Sequence, residues 1–250
     1  MSLVIVEFAA PVATITLNDP TRRNALSSAM FTGLEAAIAG VAHHEKSVVV
    51  RLRGMGSSFC AGFDLGACVD DAELLARFIW RLSGVNRSLR RLRQVVVAEV
   101  QGAALAGGCA VLSACDFVCV APDVLLGYPV HRIGVSPAVS LPTLTLAVGG
   151  AARSLTLGGD LIDGRAALAM GLATHCADTP SELEPLVEAH CALLAAKGPI
   201  ALAATKRWLN ELDGSNGNDA FDRTAQGTAA LCGGEECVRM LRAFWEARNR

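Results

Sequence analysis

The chain has 250 residues, 52% of them apolar and 18% charged, with a net charge of −2 and an isoelectric point near 6.2. That length suits one large domain, or one domain with an appended segment, and the apolar share is sufficient for a sizeable core. The near-neutral charge and an aromatic content of 5% argue against attraction to nucleic acid and against base stacking.

From the N-terminus, LVIVEF and VATITLN are β-branched runs joined by AAP, and they predict a hairpin. The first ten residues lack the basic start and cleavage site of a signal peptide. DPTRRNALS then forms a polar loop ending at a helix start. In SSAMFTGLEAAIAGVAHH, Met30, Leu34, Ile38 and Val41 recur at helical spacing. SVVVRLRG predicts a strand, and MGSSFCAGFDLG a glycine-rich loop. From Asp71 to Arg93 the chain reads as a helix with Leu74, Leu75, Phe78, Ile79 and Leu82 on one side. Its end, RSLRRLR, is either a solvated helix face or a patch facing phosphate. VVVAEV is the next strand and runs into VQGAALAGGCAVLSACD, where no side chain between Gln101 and Asp116 can carry a charge at neutral pH apart from two thiols. FVCVA and VLLGY read as short strands.

After Pro129 the character changes. Helices are predicted at 140–148, 150–158, 164–171, 181–197, 199–212, 218–231 and 234–248, interrupted by the short strand ATHCA, with DGSNGND as a surface loop. Strands that alternate with helices and then give way to them indicate an α/β core with a helical C-terminal region. No run of ~18 uncharged apolar residues is present, so no membrane span is expected. The nine cysteines include no C-x-x-C pair. Cys109, Cys115, Cys119 and Cys191 lie in apolar runs, so the expectation is reduced, buried thiols in a cytoplasmic protein. His43–His44 and His175–Cys176 lack zinc-ligand spacing, and no metal is expected.

The two glycine-rich loops each follow a predicted strand and lead into a helix. The first N–H groups of a helix have no partner within it and carry partial positive charge. Two such loops side by side can aim two N–H groups at one oxygen and stabilise an oxyanion or enolate without any side chain. Neither loop is a P-loop, because no G-K-[ST] follows the glycines, and neither carries G-x-G-x-x-G.

NDPTRRNALS, GMGSSFCAGFDL, VQGAALAGGCAVLSACDFVCVA, LGYPVHRIGVSPA and the terminal EECVRMLRAFWEARNR together resemble the crotonase superfamily, the enoyl-CoA hydratase/isomerase group, over residues 3–248. The resemblance implies an α/β fold with a ββα spiral core over 1–195. It implies a C-terminal helical region, 196–250, that builds homotrimers, often paired as hexamers. The ligand it implies is an acyl-CoA thioester, with coenzyme A as part of the substrate and no separate cofactor. By position, the oxyanion donors are the N–H groups of Phe63 and Gly107. Ala61, Asp64, Leu65 and Gly66 belong to the segment holding pantetheine and thioester. Arg22, Arg23 and Ala25 lie near the nucleotide, with the two arginines either phosphate partners or an exposed pair. Tyr128 and Val130 belong to the segment facing the reacting carbons.

The same resemblance marks a departure. The hydratase branch uses two glutamates for proton transfer, and here those positions are Ala110 and Val130. A third position, an aspartate in a related isomerase branch, matches Ala138. General acid–base groups contribute ~10²–10⁴ in rate each, so hydration is expected to be weak or absent. Among the nearest polar residues, Tyr128 shares a face with Val130 if the segment is extended, His131 points away, Asp64 caps a helix, and Asp116 satisfies backbone at the turn after its helix. Cys109 lacks a neighbour to stabilise a thiolate. Two function classes stand: an enzyme forming a thioester enolate, best by loss of CO₂ or a retro-aldol leaving group, and a non-catalytic acyl-CoA carrier.

Overall fold

The computed structural model describes residues 2–248. The N-terminal hairpin pairs β1 (Val4–Ala9) with β2 (Val12–Leu17) in antiparallel register, Val4 opposite Leu17. Beyond it the chain winds in repeating turns. Each turn places one strand in a large sheet, then one short strand in a second sheet, and then a helix or helical turn. The large-sheet strands are β3 (Val49–Gly54), β5 (Val95–Val100) and β7 (Phe117–Val120). The short strands are β4 (Ser58–Cys60), β6 (Ala103–Leu105) and β8 (Leu126–Gly127). β9 (His175–Cys176) completes a sheet of order β1-β2-β3-β5-β7-β9, and the second sheet has the order β4-β6-β8. From β2 onward every neighbouring pair is parallel.

Parallel pairing in both sheets stacks equivalent points of successive turns. β5 is buried at all six residues, as its VVVAEV run requires of a strand covered on both faces. The exception in polarity, Glu99, is 3% exposed and is bound by Arg51, which also reaches Glu184 of α7 (Leu183–Ala195) at 3.1 Å. The turns pack so closely that side chains are excluded at particular glycines. A Cβ on Gly102 would lie 2.0 Å from the Ser57 carbonyl oxygen, and one on Gly108 would lie 2.3 Å from that of Cys60.

Ten α-helices occur among the described residues: α1 (Ser28–His43), α2 (Leu65–Cys68), α3 (Ala72–Arg91), α4 (Gly107–Ser113), α5 (Leu141–Val148), α6 (Gly164–Met170), α7, α8 (Pro199–Leu212), α9 (Asp219–Ala229) and α10 (Glu235–Arg248). The helix predicted at 150–158 is instead a 3-10 turn at Gly149–Ala151 followed by a wider π turn at Ser154–Gly158. Glycine breaks the pattern at both ends, with Gly149 at φ 52° and Gly159 at φ 68°. All nine cysteines are free thiols, eight of them buried.

The arginine-rich end of α3 is neither a solvated face nor a phosphate patch. Arg87 pairs with Asp222 at 3.0 Å and Arg90 with Asp213 at 2.7 Å, while Arg91 donates to the carbonyls of Ser215 and Gly217. These bonds clasp α3 to the α8–α9 connection, and α9 packs along α3. Asp116 does satisfy backbone, accepting from the Val96 N–H at 2.8 Å, and it also pairs with the buried Lys206 of α8 at 2.5 Å. Among the described residues no single helix is long and apolar enough to cross a membrane. No group of His, Cys, Asp or Glu among them is placed to hold a metal.

Candidate active site

The loops that follow β4, β6 and β8 are equivalent points on three successive turns, so they meet on one side of the second sheet. Between them, α3 and α10 lies a cleft of 310 Å³. The β4 loop supplies Ala61, Phe63 and Leu65, the β6 loop Leu105, Ala106 and Gly107, and the β8 loop Tyr128, Pro129 and Val130. Leu75, Ile79 and Leu82 of α3, Val139 and Ser140 close one end, and Phe244 and Arg248 of α10 flank it. Arg23 and Arg132 line its mouth, and no carboxylate or imidazole is among the described lining residues.

The first loop is held by an isolated parallel bridge between Leu26 and Phe63. Leu26 donates to the Gly62 carbonyl at 2.8 Å and accepts from the Asp64 N–H at 3.3 Å. Successive residues of extended backbone direct their N–H groups to opposite edges, so the Phe63 N–H points away from Leu26. The bridge, rather than a helix start, presents this N–H, because α2 begins two residues later. The second loop presents Gly107 as the first residue of α4, where the N–H has no intrahelical carbonyl. The two loops are in contact: a Cβ built on Gly62, at φ 89°, would lie 3.5 Å from the Gly107 nitrogen. A Cβ on Gly107 itself would meet only side chains, Leu26 Cδ1 at 3.0 Å and the Phe63 ring at 3.3 Å. Gly102 and Gly108 are therefore packing glycines, and Gly107 is the one whose backbone faces the cleft.

Ala106 aims that N–H. It sits at φ 51°, ψ −110° as N-cap of α4, its own N–H bound to the Gly127 carbonyl at 2.8 Å. A residue bearing a Cβ is strained there by about 1–3 kcal/mol. An Ala106→Gly variant is expected to gain about 1 kcal/mol in urea unfolding, since glycine relieves the strain at some entropic cost. A loss of stability would show that Ala106 is unstrained.

Asn24 fixes the preceding loop. It is fully buried at φ 54°; its side chain donates to the carbonyls of Met55, Ser58 and Phe59 at 2.8–3.1 Å and accepts from the Asp19 N–H at 2.8 Å. This ties the arginine loop to the β3–β4 connection. Its sequence signal was an asparagine, a residue that tolerates left-handed backbone, just before a helix start.

Of the nominated residues, Arg23, Ala61, Phe63, Leu65, Gly107, Tyr128 and Val130 line the cleft. Arg22, Ala25, Asp64 and Gly66 are not among its lining. Asp64 makes no side-chain cap, correcting that expectation. Its carboxylate is bound by Arg22, and that bond raises the guanidinium pKa. The Ala25 N–H is taken by the Arg22 carbonyl at 3.2 Å. Gly66 lies beneath Trp245, whose ring a Cβ would meet at 2.7 Å.

Ala110 is fully buried behind Gly107, Val130 lines the cleft, and Ala138 is half-buried. The Tyr128–Val130 segment is not extended, because a 3-10 turn starts at Pro129 and closes at Gly134, φ 68°. Both residues still reach the cleft, while His131 is exposed outside it. Burial pushes the Cys109 thiol up to about 12, so it is no thiolate nucleophile. Burial likewise raises Tyr128 well above the ordinary phenol value. Ser136, Ser140, Arg132 and Phe244 went unnoticed in the sequence, since each joins the site from an element whose local pattern shows only a loop or a helix.

A family model for enoyl-CoA hydratase/isomerase matches residues 7–249. A Thermus thermophilus protein named "Putative enoyl-CoA hydratase" is 36% identical over 245 residues, covering 95% of each chain. The short-chain-enoyl-CoA hydratase of Clostridium acetobutylicum is 29% identical over 211 residues, covering 83% of this chain and 80% of its own. The crystal structure of an enoyl-CoA hydratase from Mycobacterium avium superposes with a TM-score of 0.85 at 28% identity, covering 99% of this chain and 97% of that one.

Proposed function

The chain belongs to the enoyl-CoA hydratase/isomerase family, and on that premise we propose that it binds an acyl-CoA thioester in the cleft and holds the thioester oxygen between the N–H groups of Phe63 and Gly107. One observation carries the reading. The two loops bearing these N–H groups touch at Gly62 and Gly107, in a cleft whose described lining has no carboxylate or imidazole.

Such a site polarises a carbonyl and stabilises an enolate, but it has no group to activate water. Hydration across an enoyl thioester requires that group. Forming the enolate by loss of CO₂ or another carbon leaving group requires no protein base for its first step, and this is the enzymatic reaction the site suits. The chemistry rests on main-chain donors and on the thioester itself, with no metal or redox cofactor assigned a role. A 310 Å³ cleft is at the small end for ligand pockets, which favours a short acyl group, in keeping with the short-chain name of the Clostridium relative. Arg23 and Arg132 at the mouth suit the phosphates of coenzyme A. Assembly into a trimer through the C-terminal helices is part of the same reading, and the outward Ile200 and Leu212 of α8, 85% and 83% exposed, support it.

The test is a panel of crotonyl-CoA and malonyl-type thioesters, run beside a glutamate-bearing relative. Crotonyl-CoA hydration is expected to be lower than the relative's by at least about 100-fold, the contribution of a single proton-transfer group at its low end. Equal hydration rates would overturn the reading of the lining. Turnover of a malonyl-type thioester identifies an enzyme. Micromolar binding of the whole panel without turnover identifies the carrier instead, which the same lining accommodates.

A further inference from the structure

The peptide joining Gly62 to Phe63 takes its direction from another loop. Its carbonyl accepts from the Leu26 N–H at 2.8 Å. A trans peptide points its N–H opposite to its C=O, so that bond sets where the Phe63 N–H points. Two further rungs tie the same segments together. The Ala61 N–H donates to the Arg23 carbonyl at 3.0 Å, and the Asp64 N–H to the Leu26 carbonyl at 3.3 Å. The two bonds to Leu26 flank Phe63, and the second is the longest of the three. On its buried side the loop is pinned by the fully buried Asn24. On its open side the Arg22 guanidinium donates to the Asp64 carboxylate, crossing from before the first rung to the last. The Arg22 side chain is 51% exposed and that of Asp64 17%, and an ion pair this open adds little to stability. Asp64 also forgoes the capping bond that its place before α2 offers. Neither stability nor capping accounts for the carboxylate.

We propose that Arg22 and Asp64 are positioning residues, a clasp that closes the last rung of this ladder and so holds the Phe63 N–H in line with that of Gly107. This rests on the acyl-CoA reading of the cleft. Neither side chain lines the cleft, so both act through main chain. A misplacement of about 1 Å at a reacting centre costs about 100-fold in rate. A bond that contributes little to folding therefore has a large effect when it aims a donor.

The test reads the carbonyl stretch of butyryl-CoA, isotopically labelled at the thioester carbonyl and bound at saturation. Wild type, Asp64→Ala, Arg22→Ala, the double variant, Arg22→Lys and Gly107→Pro are compared. The wild type is expected to lower the frequency from its solution value. Asp64→Ala and Arg22→Ala are each expected to return it part of the way, with melting temperatures within about 4 °C of wild type. The double variant is expected to shift no further than either single one, because the two side chains act as a unit. Arg22→Lys keeps a cationic donor and is expected to hold the wild-type frequency. A purely structural pair would move the melting temperature and leave the frequency alone. If Arg22 served only a phosphate, Asp64→Ala would free it, tighten binding and leave the frequency unchanged. Should Asp64→Ala fold poorly, Arg22→Ala and Arg22→Lys carry the test. An unchanged frequency in the folded variants, while Gly107→Pro still moves it, overturns the inference and leaves the oxyanion reading standing. A wild-type frequency equal to the solution value overturns the oxyanion reading, and failure of butyryl-CoA and crotonyl-CoA alike to bind overturns the acyl-CoA reading.

Discussion

A Gly107→Pro variant is expected to lose about 100- to 1000-fold in turnover of any thioester the protein converts, the usual cost of removing one oxyanion donor, about 2.7–4 kcal/mol. The substitution isolates the donor because of where Gly107 sits. It is the first residue of α4, and proline is tolerated at that helix position, where the N–H has no intrahelical partner. A Cβ there meets Leu26 Cδ1 and the edge of the Phe63 ring, both side-chain atoms, while the ring Cδ that replaces the N–H lies against Ala106, already strained at φ 51° and ψ −110°. By contrast, alanine at Gly108 would strike the Cys60 carbonyl and disturb the stacking of the turns. Circular dichroism and thermal melting establish that Gly107→Pro is folded before its turnover is read, with some stability expected to be lost at Ala106, and Gly108→Ala is expected to lose stability as well. The carbonyl stretch of a bound thioester gives a readout independent of turnover. Two donors are expected to lower its frequency in the wild type, and Gly107→Pro to move it back toward the solution value. An unchanged frequency and unchanged turnover in a folded variant would remove Gly107 from the site.

Lys206→Ala is expected to destabilise the protein by about 3–5 kcal/mol, as breaking one side of a buried ion pair does. Lys206 is 6% exposed, donates to the Gln94 carbonyl at 3.0 Å and pairs with Asp116 at 2.5 Å. Burial lowers the ammonium pKa, and Asp116 is the charge that opposes this. Asp116 also accepts the Val96 N–H at the start of β5, so the pair joins α8 to the N-terminal end of an interior strand of the large sheet. Removing the ammonium leaves a partly buried carboxylate and the Gln94 carbonyl without their donor. Equilibrium unfolding of Lys206→Ala against Lys206→Met checks the cause. Methionine restores the packed stem but not the charge, so most of the loss is expected to persist. Near-complete recovery in Lys206→Met would show that packing, not the ion pair, holds α8 in place.

The legibility of the sequence followed the range of each interaction. The hairpin, α1, α3 and the VVVAEV strand carry their own periodicity, and the structure places them within two or three residues of expectation. The motifs FCAGFDL and GAALAGG marked the family and both site loops, because close backbone approach restricts those positions to small residues. Local pattern could not say which glycine served which purpose. Gly102 and Gly108 are excluded from bearing side chains by carbonyls of the preceding turn, about 45 residues earlier in sequence, as parallel stacking alone dictates.

Charge was the least legible property. RSLRRLR showed seven residues of a basic run but none of its partners, since Asp213 and the carbonyls of Ser215 and Gly217 come from the distant α8–α9 connection and Asp222 from the first turn of α9. Asp64 stood at a helix start, yet its carboxylate is held by Arg22 across the loop. From the sequence alone came the family and the spiral fold, both carried by residue identity in the quoted motifs, together with the expectation that the apolar Ala110 and Val130 carry no protons. Tertiary structure alone decided that Phe63 and Gly107 adjoin and that α10 closes the cleft over them. It also decided that Arg23 and Arg132, more than a hundred residues apart, line the same cleft. Each of these depends on chain segments far apart in sequence being brought within contact distance, and no local pattern of side chains records that.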